Sequence, residues 1–362
     1  MIATSAAVAL LVLATGACLI LVIPTLAGLL PRRSRAANAP AHTFAILIPA
    51  HNEEASLPAT LRSLGKLTYP PARVRVWVVA DNCTDSTPSV AWAFGAACVA
   101  RFDRTRRGKG HAVAFGLDRV LRDAADVVLV LDADCELNPT ALQALDAVFA
   151  AGADAAQCAV RSRNADAGPT GYVAAVGAAL DDSVAAGRDR LGGSVPLRGT
   201  GMAFRRSVLE FIPWTAFGLA EDAEYAAKLH AAGVRVRHCA DAVVGCDSPG
   251  NWRDLGKQRR RWRAAGVLAS KPLGLALIAA AATLGFACGF AWWPASLLVL
   301  TVAVYAHAIA SVGVTARRLG LLARSPLVVA RLAWVASAGR LKRTPKSWDR
   351  TPRLSESERR AA

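Results

Sequence analysis

Charged residues are scarce in this chain, and acidic residues are the scarcer of the two signs. The 362 residues include 27 Asp and Glu against 43 Lys and Arg, with 19% charged and 54% hydrophobic residues. So little charge with a positive mean hydropathy argues against a purely soluble single domain, because the apolar residues must be concentrated in blocks. We interpret the composition as that of a membrane-anchored enzyme with positive charge beside its apolar segments.

The sequence also lacks a paired-cysteine motif. None of the eight cysteines forms a C-x-x-C pair or a zinc-type spacing, and Cys18 and Cys288 lie in apolar runs. This pattern predicts reduced, mostly buried thiols in a protein that faces the cytosol. His238, Cys239 and Cys246 are an alternative set of metal ligands, but the sequence offers no evident fourth member.

No nucleic-acid recognition motif accompanies the excess of basic residues. Residues 315–362 hold twelve Lys and Arg against three Asp and Glu, without the aromatic and basic pattern that base stacking requires. Within them, residues 324–346 have the pattern of an interfacial helix. We therefore expect membrane lipids with anionic headgroups, and no nucleic acid, as partners of this basic tail.

An uncharged run opens the chain. Residues 1–30 contain no charged side chain, and about 20 apolar residues are enough to cross a bilayer core. We predict a transmembrane helix over residues 1–31. A secretory signal peptide is the alternative, although no basic residue precedes the run and no clear cleavage site ends it. Arg32, Arg33 and Arg35 follow it, so the positive-inside rule places the N-terminus outside.

A second apolar region is predicted to form a pair of transmembrane helices over residues 268–314. Trp292, Trp293 and Pro294 interrupt this region and suit an interfacial turn between two spans. Basic clusters flank both ends of the pair, so both ends are expected on the cytoplasmic side. One kinked or re-entrant segment is the alternative. These spans predict an integral protein of the cell (inner) membrane with residues 41–263 in the cytoplasm.

The block between the spans alternates short β-rich runs with helical patterns, which predicts an α/β domain with a mostly parallel sheet. The strand candidates are residues 44–48, 74–79 and 127–131, and polar or acidic residues follow each of them. Each such sequence alone is more simply a turn or a helix cap. Three together predict one site, because ligands of open α/β sheets bind beyond the carboxyl ends of the strands.

Asp132 and Asp134 carry the clearest chemistry of these sequences. Two carboxylates one residue apart at a strand end can hold a divalent cation, and oxygen ligands favour Mg2+ or Mn2+ over zinc. Such a cation neutralises the charge of a diphosphate leaving group. Without a phosphate ligand, the two residues would be ordinary turn carboxylates.

Four further segments offer candidate ligand groups. Lys109 opens a helical run after a basic loop. The loop lacks the Walker A pattern, but the Lys109 amine and the backbone amides can bind phosphates. Residues 198–202 form a glycine-rich turn, at which the backbone can approach a ligand closely. Asp222 lies among carboxylates that suit a helix N-terminus, and one of them can also act as a base. Arg261 can fork onto a diphosphate and Trp262 can stack on a sugar ring.

The ordered set of these motifs resembles the membrane-embedded family 2 glycosyltransferases of the GT-A fold. Similar members are the cellulose, chitin, hyaluronan and poly-N-acetylglucosamine synthases. The resemblance covers roughly residues 41–263, and its most selective element is Q-x-x-R-W. The motifs that carry it are Pro49 with Asn52-Glu53-Glu54, Asp81-Asn82-Cys83-Thr84-Asp85, Gly108-Lys109-Gly110, Asp132-Ala133-Asp134, Glu221-Asp222 and Gln258-Arg259-Arg260-Arg261-Trp262.

The resemblance implies a binding site for a nucleotide-sugar donor, with a UDP-sugar as the expected donor. Pro49, Glu54 and Asp81 would line the nucleoside pocket. Lys109 and Asp132 would lie near the uridine diphosphate. The fold class implied is the Rossmann-like GT-A α/β fold flanked by transmembrane helices.

The resemblance also implies the remaining roles. Asp134 would hold Mg2+ or Mn2+, and Asp222 would be the general base that deprotonates the acceptor hydroxyl, with inversion at the anomeric carbon. Gln258, Arg261 and Trp262 would hold the diphosphate and the acceptor sugar. The acceptor implied is a polysaccharide, glycan or lipid at the cytoplasmic membrane face.

The chain differs at two points from the family that it resembles. Ala80 stands where many members carry a first nucleoside-site carboxylate, and two C-terminal spans are fewer than the processive synthases contain. Transfer of a single sugar, or action with a partner subunit for export, is therefore open. Two other functions also stay open, namely a membrane-bound nucleotidyl or phosphosugar transferase and an inactive nucleotide-binding membrane scaffold.

Overall fold

The computed structural model describes residues 2–30, 39–249, 251–256 and 292–338. Residues 252–256 are helical, and two short 3-10 turns lie at Pro71–Arg73 and Ala165–Ala167. The longer helices in these ranges are α1 (Ile2–Leu29), α2 (Leu57–Leu64), α3 (Thr87–Ala93), α4 (Lys109–Val120), α5 (Ala141–Ala150), α6 (Pro169–Arg190), α7 (Arg206–Phe211), α8 (Glu221–Ala231), α9 (Trp292–Val312) and α10 (Ala316–Ala338).

The described residues form one eight-stranded sheet in the order β3-β2-β1-β4-β7-β6-β8-β5. Its strands are β1 (Phe44–Ala50), β2 (Val74–Asp81), β3 (Ala97–Arg101), β4 (Val127–Val130), β5 (Cys135–Leu137), β6 (Ala155–Ser162), β7 (Met202–Arg205) and β8 (Val236–Cys246). The three strands predicted from the sequence are β1, β2 and β4. Their β-branched residues pack well on a pleated surface, and β4 is buried along its whole length.

The sheet is mixed, which corrects the prediction of a mostly parallel one. Strands β1 to β4 pair in parallel, as do β6 and β8, but β7 runs antiparallel between β4 and β6, and β5 runs antiparallel to β8. The antiparallel β7 was not visible from the sequence, because Met202–Arg205 is too short to show a period of its own. Its placement brings the loop that enters β7 beside the end of β4.

Helices cover both faces of this sheet. One apolar core contains Leu57 and Leu61 of α2 with Leu142 of α5, and the other contains Val113 and Leu117 of α4. Both faces of β1 are therefore buried, which accounts for its continuous apolar sequence.

Helix α6 joins the sheet domain to the apolar helices. It packs against α1, α9 and α10, and α1 approaches it at Gly28 and Gly187. A Cβ at Gly187 would lie 1.6 Å from the carbonyl oxygen of Pro24, so this crossing requires a glycine. At the start of α6, Arg318 donates to both oxygens of Asp166, at 2.9 and 2.7 Å.

Two of the described helices are long and apolar enough to cross a bilayer, at Val8–Leu29 and Trp292–Val312. The core helices of soluble proteins and signal sequences can have the same length and apolar composition. The first fits the predicted span over residues 1–31. The second begins at the predicted tryptophan turn, whereas the preceding member of the predicted pair lies outside the described residues. Residues 324–338 of the predicted interfacial helix are helical and belong to α10, which begins earlier, at Ala316; its interfacial position stays a prediction.

Two cysteines correct the prediction that the thiols are reduced. Cys135 and Cys246 form a disulfide across the antiparallel pair of β5 and β8, where they stand opposite each other in register. The sequence did not reveal this bond because its partners are separated by 111 residues. Cys158 and Cys239 are buried, as predicted.

Candidate active site

Two asparagines shape the carboxyl ends of β1 and β2. Asn52 and Asn82 have φ angles of 54° and 51°, which is the left-handed conformation. Residues other than glycine seldom adopt it, and asparagine adopts it more often than most of them. The Asn52 side chain accepts from the amide of Thr84 at 2.8 Å, and the Asn82 side chain accepts from the amide of Asp103 at 2.9 Å. Side-chain bonds therefore hold the loops after β1, β2 and β3 to one another.

Asp81 ends β2 and is buried against Arg101, which ends β3. Arg101 donates to Oδ1 of Asp81 at 2.6 Å, and the two side chains are each 8% exposed. His51 approaches the same strand end, with its Nδ1 2.6 Å from the Asp81 carbonyl oxygen. The structure thus places Asp81 at the strand edge where a ligand was expected.

The two other residues predicted for the nucleoside pocket occupy different surroundings. Pro49 lies within β1 in register with Val79 of β2, and it is half-buried. Glu54 is exposed, and its carboxylate accepts from the amide of Ser86 at 2.9 Å. Its neighbour Glu53 is the buried carboxylate of this loop. Glu54 therefore holds the loop after β2, and its predicted contact with a nucleoside stays a prediction.

The Asp132 and Asp134 carboxylates form a compact oxygen-rich group just after β4. One oxygen from each lies within 4.8 Å of the other, and both residues are half-buried. The Cys135 sulfur belongs to the same group of atoms, but its bond to Cys246 removes it as a thiolate ligand. Two hard oxygen donors beside solvent fit Mg2+ or Mn2+, with further positions left for phosphate oxygens and water.

Lys109 is the cation nearest to this pair among the described residues. Its Nζ lies 2.5 Å from Asp132 Oδ1 and 3.6 Å from Glu221 Oε1, and it donates to the carbonyl oxygen of Gly199 at 2.8 Å. Burial disfavours the charged amine, but the Asp132 and Glu221 carboxylates outweigh burial and raise the pKa of Lys109. Lys109 is therefore a fixed positive charge between the β4 carboxylates and α8.

The glycine-rich turn lies directly against these charges. Gly199 has φ +78°, and a Cβ there would lie 3.4 Å from Lys109 Nζ and 3.5 Å from Asp222 Oδ2. The next residue, Thr200, accepts from the amide of Asp132 through its hydroxyl at 3.0 Å. The turn before β7 therefore connects the end of β4 with the start of α8.

The Gln157 side chain holds the backbone of this turn through two hydrogen bonds. Its side-chain oxygen accepts from the amide of Arg198 at 3.0 Å, and its side-chain nitrogen donates to the carbonyl oxygen of Thr200 at 2.8 Å. Buried amide groups of this kind must be hydrogen-bonded, and both ends of this one are. One buried side chain of β6 thus fixes the backbone on both sides of Gly199.

Glu221 and Asp222 begin α8, as the sequence predicted. Burial is the largest influence on both and raises the pKa of each carboxyl, although Lys109 opposes the shift. Asp222 therefore combines a raised pKa with a position beside Gly199, which suits a group that accepts a proton. Glu221 faces the amine of Lys109 and stabilises it.

Helix α4 also approaches the segment before α8 closely. A Cβ on Gly110 would lie 2.1 Å from the carbonyl oxygen of Ala216, and the His111 ring stacks on Phe217 with centroids 4.3 Å apart. Lys109 is held in place by this packing as well as by its ion pairs. Gln258, Arg261 and Trp262 lie outside the described residues.

A comparison with known protein families identifies the family of this chain. Residues 40–265 match the family described as glycosyltransferase like family 2. The chain belongs to the family 2-like glycosyltransferases. The matched segment holds every strand of the sheet and all the site residues described above, so the sequence-based resemblance is confirmed at the level of the family.

Curated relatives of this glycosyltransferase chain match it over part of their length. A probable glycosyltransferase, YdaM of Bacillus subtilis, is 27% identical over 227 residues, which are 60% of this chain and 53% of that protein. A beta-monoglucosyldiacylglycerol synthase of Synechocystis sp. is 28% identical over 237 residues, 64% of this chain and 49% of that protein. The chain thus spans about half the length of these relatives.

A solved structure supports the fold of this glycosyltransferase. The mannosyltransferase PcManGT from Pyrobaculum calidifontis, in complex with GDP-Man and Mn2+, has a TM-score of 0.57 and 20% identity. The similarity covers 92% of this chain and 99% of that one. At this identity the likeness concerns the fold alone, which is the GT-A α/β fold.

Sequence reasoning missed two contributors to the site, namely Arg101 and Gln157. Gln157 had a visible signal, because it is the single polar residue between Ala155 and Val160 in an apolar strand. Arg101 had none, because a basic residue after a short apolar run is typical of an exposed strand end.

Proposed function

We propose that this protein is an inverting, metal-dependent glycosyltransferase that moves a sugar from a nucleotide-sugar to an acceptor hydroxyl. The observation that carries the proposal is the convergence on Gly199 of the Lys109 amine and the Asp222 carboxylate, with Asp132 bonded to the same amine. A group that accepts a proton and groups that bind a diphosphate thus lie on two sides of one glycine turn.

The donor half of the reaction uses the ends of β2 and β4. Asp81 binds the nucleoside, and Lys109 lies near the diphosphate. Asp132 and Asp134 would hold Mg2+ or Mn2+, which would supply positive charge for the departing diphosphate. The PcManGT complex, with a nucleotide-sugar and Mn2+ on the same fold, supports this choice of donor and metal class.

The acceptor half uses the start of α8. The Asp222 carboxylate accepts the proton of the acceptor hydroxyl as that oxygen bonds to the anomeric carbon. The bond between the anomeric carbon and the diphosphate oxygen breaks at the same time, and both of its electrons leave with the nucleoside diphosphate. Attack from the face opposite the leaving group inverts the anomeric configuration. Gln258, Arg261 and Trp262 stay predicted contacts of the diphosphate and acceptor.

The proposed location is the cytoplasmic face of the cell membrane. The two candidate spans are apolar, yet only 28% and 22% of the most apolar 18-residue stretch of each is buried, so most of these stretches is not covered by the protein. Ile20 is 75% exposed and Val299 is 66% exposed. Such surface is unfavourable in water and suits a bilayer core. Membrane lipids are then the neighbours of α1 and α9.

The acceptor proposed is a lipid or a glycan presented at that face. A relative named as a beta-monoglucosyldiacylglycerol synthase supports a lipid acceptor. The packing of α6 supports it as well, because this helix contacts both α1 and α9 and the sheet strands β6 and β8. A partner subunit for export belongs to the proposal only if the product is a long glycan.

The test is nucleoside diphosphate release by the full chain purified in detergent. A panel of UDP- and GDP-sugars is offered with Mn2+ and, separately, Mg2+, in the presence of diacylglycerol or short glycans. We expect release with one donor class, a product mass that increases by one sugar, and loss of both in Asp222→Asn. Lack of release with every donor and acceptor, together with lack of nucleotide binding, would overturn the proposal.

Two variants separate the proposed roles. Asp134→Ala is expected to abolish metal-dependent binding of the nucleoside diphosphate, whereas Asp222→Asn keeps that binding and loses transfer. Equal loss of binding in both variants would contradict the division between a donor half and an acceptor half.

A further inference from the structure

The disulfide between Cys135 and Cys246 lies directly beside the proposed metal-binding carboxylates. Cys135 follows Asp134 in the chain, and its sulfur lies 3.5 Å from Asp134 Oδ1. One ligand atom from each of Asp132, Asp134 and Cys135 lies within 4.8 Å of the other two. A tetrahedral zinc centre, with bonds of about 2.3 Å to sulfur and about 2.1 Å to oxygen, holds two such atoms about 3.6 Å apart. The sulfur therefore already stands at the distance of a further ligand, and only its bond to Cys246 prevents it from acting as a thiolate.

The two cysteines of this bond differ in their access to solvent. Cys135 is 1% exposed, whereas Cys246 is half-buried at the end of β8. Thiol–disulfide exchange begins when a thiolate attacks the accessible sulfur and the other sulfur leaves. A dithiol reductant therefore attacks Cys246 and releases Cys135 next to the carboxylates, and its second thiol then displaces Cys246. The reductant ends as a disulfide, and each protein sulfur gains one electron and one proton.

Other contacts hold β5 to β8 once the bond is broken. The ladder between these strands also pairs Glu136 with Gly245. Arg163 forms an ion pair with Glu136 of β5 and another, at 3.2 Å, with Asp247 just after β8. Reduction thus produces a thiol without separating the strands that hold it. The released thiol therefore stays beside the carboxylates.

We propose that the disulfide between Cys135 and Cys246 is a redox modification site that decides which class of metal ion binds after β4. The inference rests on the proposed function, in which Asp132 and Asp134 would hold Mg2+ or Mn2+. With the disulfide intact, the two carboxylates offer only oxygen ligands, which hard cations prefer. After reduction, the Cys135 thiol gives its proton to solvent as it binds the metal, and a thiolate ligand favours Zn2+. Zn2+ then takes the place of the hard cation, so reduced protein loses transfer when Zn2+ is present.

The proposed cytoplasmic location agrees with this role. Thiol reductants keep cysteines reduced in that compartment, and the disulfides that do form there are mostly transient or redox-sensing. A bond with an accessible sulfur is of the reducible kind. A cross-link that served stability alone would have no need to adjoin the metal-binding carboxylates.

The experiment measures metal binding by the full chain in detergent, in the untreated form and after reduction. A dithiol reductant is added and then removed by gel filtration without air, and maleimide labelling counts the thiols before and after. Dissociation constants for Zn2+ and Mn2+ are measured by calorimetry, and Cd2+ reports a metal–thiolate bond through its ultraviolet charge-transfer absorption. Nucleoside diphosphate release with Mn2+ is measured on the same samples, with and without Zn2+.

Two single variants form a matched pair. Cys246→Ser and Cys135→Ser both lack the disulfide and both keep one of its two thiols, but only Cys246→Ser keeps the sulfur that adjoins Asp134. The other cysteines of the chain are the same in both, so metal binding to them cancels in the comparison. Adding Asp134→Ala to Cys246→Ser shows whether the thiolate binds the metal together with the carboxylate.

We expect Cys246→Ser to bind Zn2+ about tenfold or more tightly than Cys135→Ser, because even an indirect contact to a metal changes its affinity about 10–100-fold. Cys246→Ser should also show more cadmium–thiolate absorption. Reduction of the unmodified protein should increase its preference for Zn2+ over Mn2+ by a similar factor, and added Zn2+ should inhibit transfer more after reduction than before. Adding Asp134→Ala to Cys246→Ser should remove the gain in Zn2+ affinity.

Equal Zn2+ affinity of the two single variants would overturn the inference. An unchanged preference between Zn2+ and Mn2+ in unmodified protein after reduction would overturn it too, and this comparison needs no substitution, so it decides the question if a variant fails to fold. The metal and thiol readouts do not depend on turnover. Absence of nucleotide binding and release in every sample would therefore overturn the proposed function separately, while the difference in Zn2+ affinity is still measured.

Discussion

The Lys109 amine lies 2.5 Å from Asp132 and 3.6 Å from Glu221, so one buried cation serves carboxylates from two different elements. Asp132 follows β4 in the proposed donor half, whereas Glu221 opens α8 in the proposed acceptor half. Lys109 itself opens α4. The charge balance of the site therefore depends on the correct packing of these elements.

Lys109→Met tests this role. Removing the amine leaves Asp132 and Glu221 without their cation, and loss of one partner of a buried pair costs about 3 kcal/mol or more. Chemical denaturation should show a decrease of this size in the free energy of unfolding, and Mn2+ should restore more stability in the variant than in the unmodified protein. Lys66→Met, at an exposed lysine, is the control and should change stability by less than about 0.5 kcal/mol. Equal stability of the two variants would contradict the assignment.

Gly199→Ala tests the close approach at the glycine turn. The left-handed backbone makes alanine unfavourable by about 1–2 kcal/mol, and the added Cβ also meets Lys109 and Asp222. Gly95→Ala is a matched control, because its φ of +75° is similar and its Cβ would meet nothing within 4 Å. We expect a similar loss of stability in both and a large fall in kcat only in Gly199→Ala. A similar kcat in the two variants would show that the turn does not act on the reacting groups.

The pH dependence of turnover follows from Asp222. Burial raises the pKa of this carboxyl, and the protonated form cannot accept the acceptor proton. The rate should fall as pH decreases, with a midpoint above the ordinary value for aspartate of about 3.9. A kcat profile across acidic to neutral pH measures it, and Asp222→Asn should remove this limb from the residual rate. A midpoint at or below 3.9 would be inconsistent with the buried base.

The free energy of unfolding should change with pH in the opposite direction to the rate. The raised pKa values of Glu221 and Asp222 mean that the folded state holds their protons more tightly than the unfolded state. The contribution of these two carboxyls to the free energy of unfolding therefore decreases as pH increases from the unfolded pKa through the folded pKa. Denaturation of the Glu221→Gln and Asp222→Asn double variant should lack this contribution. An unchanged dependence on pH would contradict it.

The Cys135 and Cys246 disulfide should contribute to stability. It closes a long loop, and a cross-link of this kind stabilises by about 3 kcal/mol, chiefly through the unfolded chain. Treatment with a phosphine reductant should lower the free energy of unfolding by about this amount. The Cys135→Ser and Cys246→Ser double variant is the control and should not respond to the reductant. Labelling of both thiols in untreated protein would contradict the bond.

Local sequence patterns predicted the donor half of the site better than the acceptor half. Apolar runs followed by acidic residues located β2 and β4 with Asp81 and Asp132 at their ends, because parallel strands expose their carboxyl ends at one edge. The start of α8 was also predicted, since carboxylates favour a helix N-terminus.

Contacts between distant segments were not predictable in the same way. Arg101 looks ordinary in sequence. Gln157 stands out as a polar residue in an apolar strand, but the sequence does not show which loop it holds, because the strand register decides that. The disulfide depended equally on register. For Glu54 the motif is visible in the sequence, but the contact of its carboxylate with the loop after β2 is not.

The antiparallel course of β7 divides the proposed site between two stretches of sequence. In the proposed function, residues up to 134 supply the donor half and residues from 198 onward supply the acceptor half, because the start of β7 pairs with the end of β4. Under this proposal, substitutions in the later part that keep the contacts of Gly199, Thr200 and Glu221 with Lys109 and Asp132 can change the acceptor while the donor-binding groups stay in place. New acceptors can arise within this fold without the loss of an existing donor.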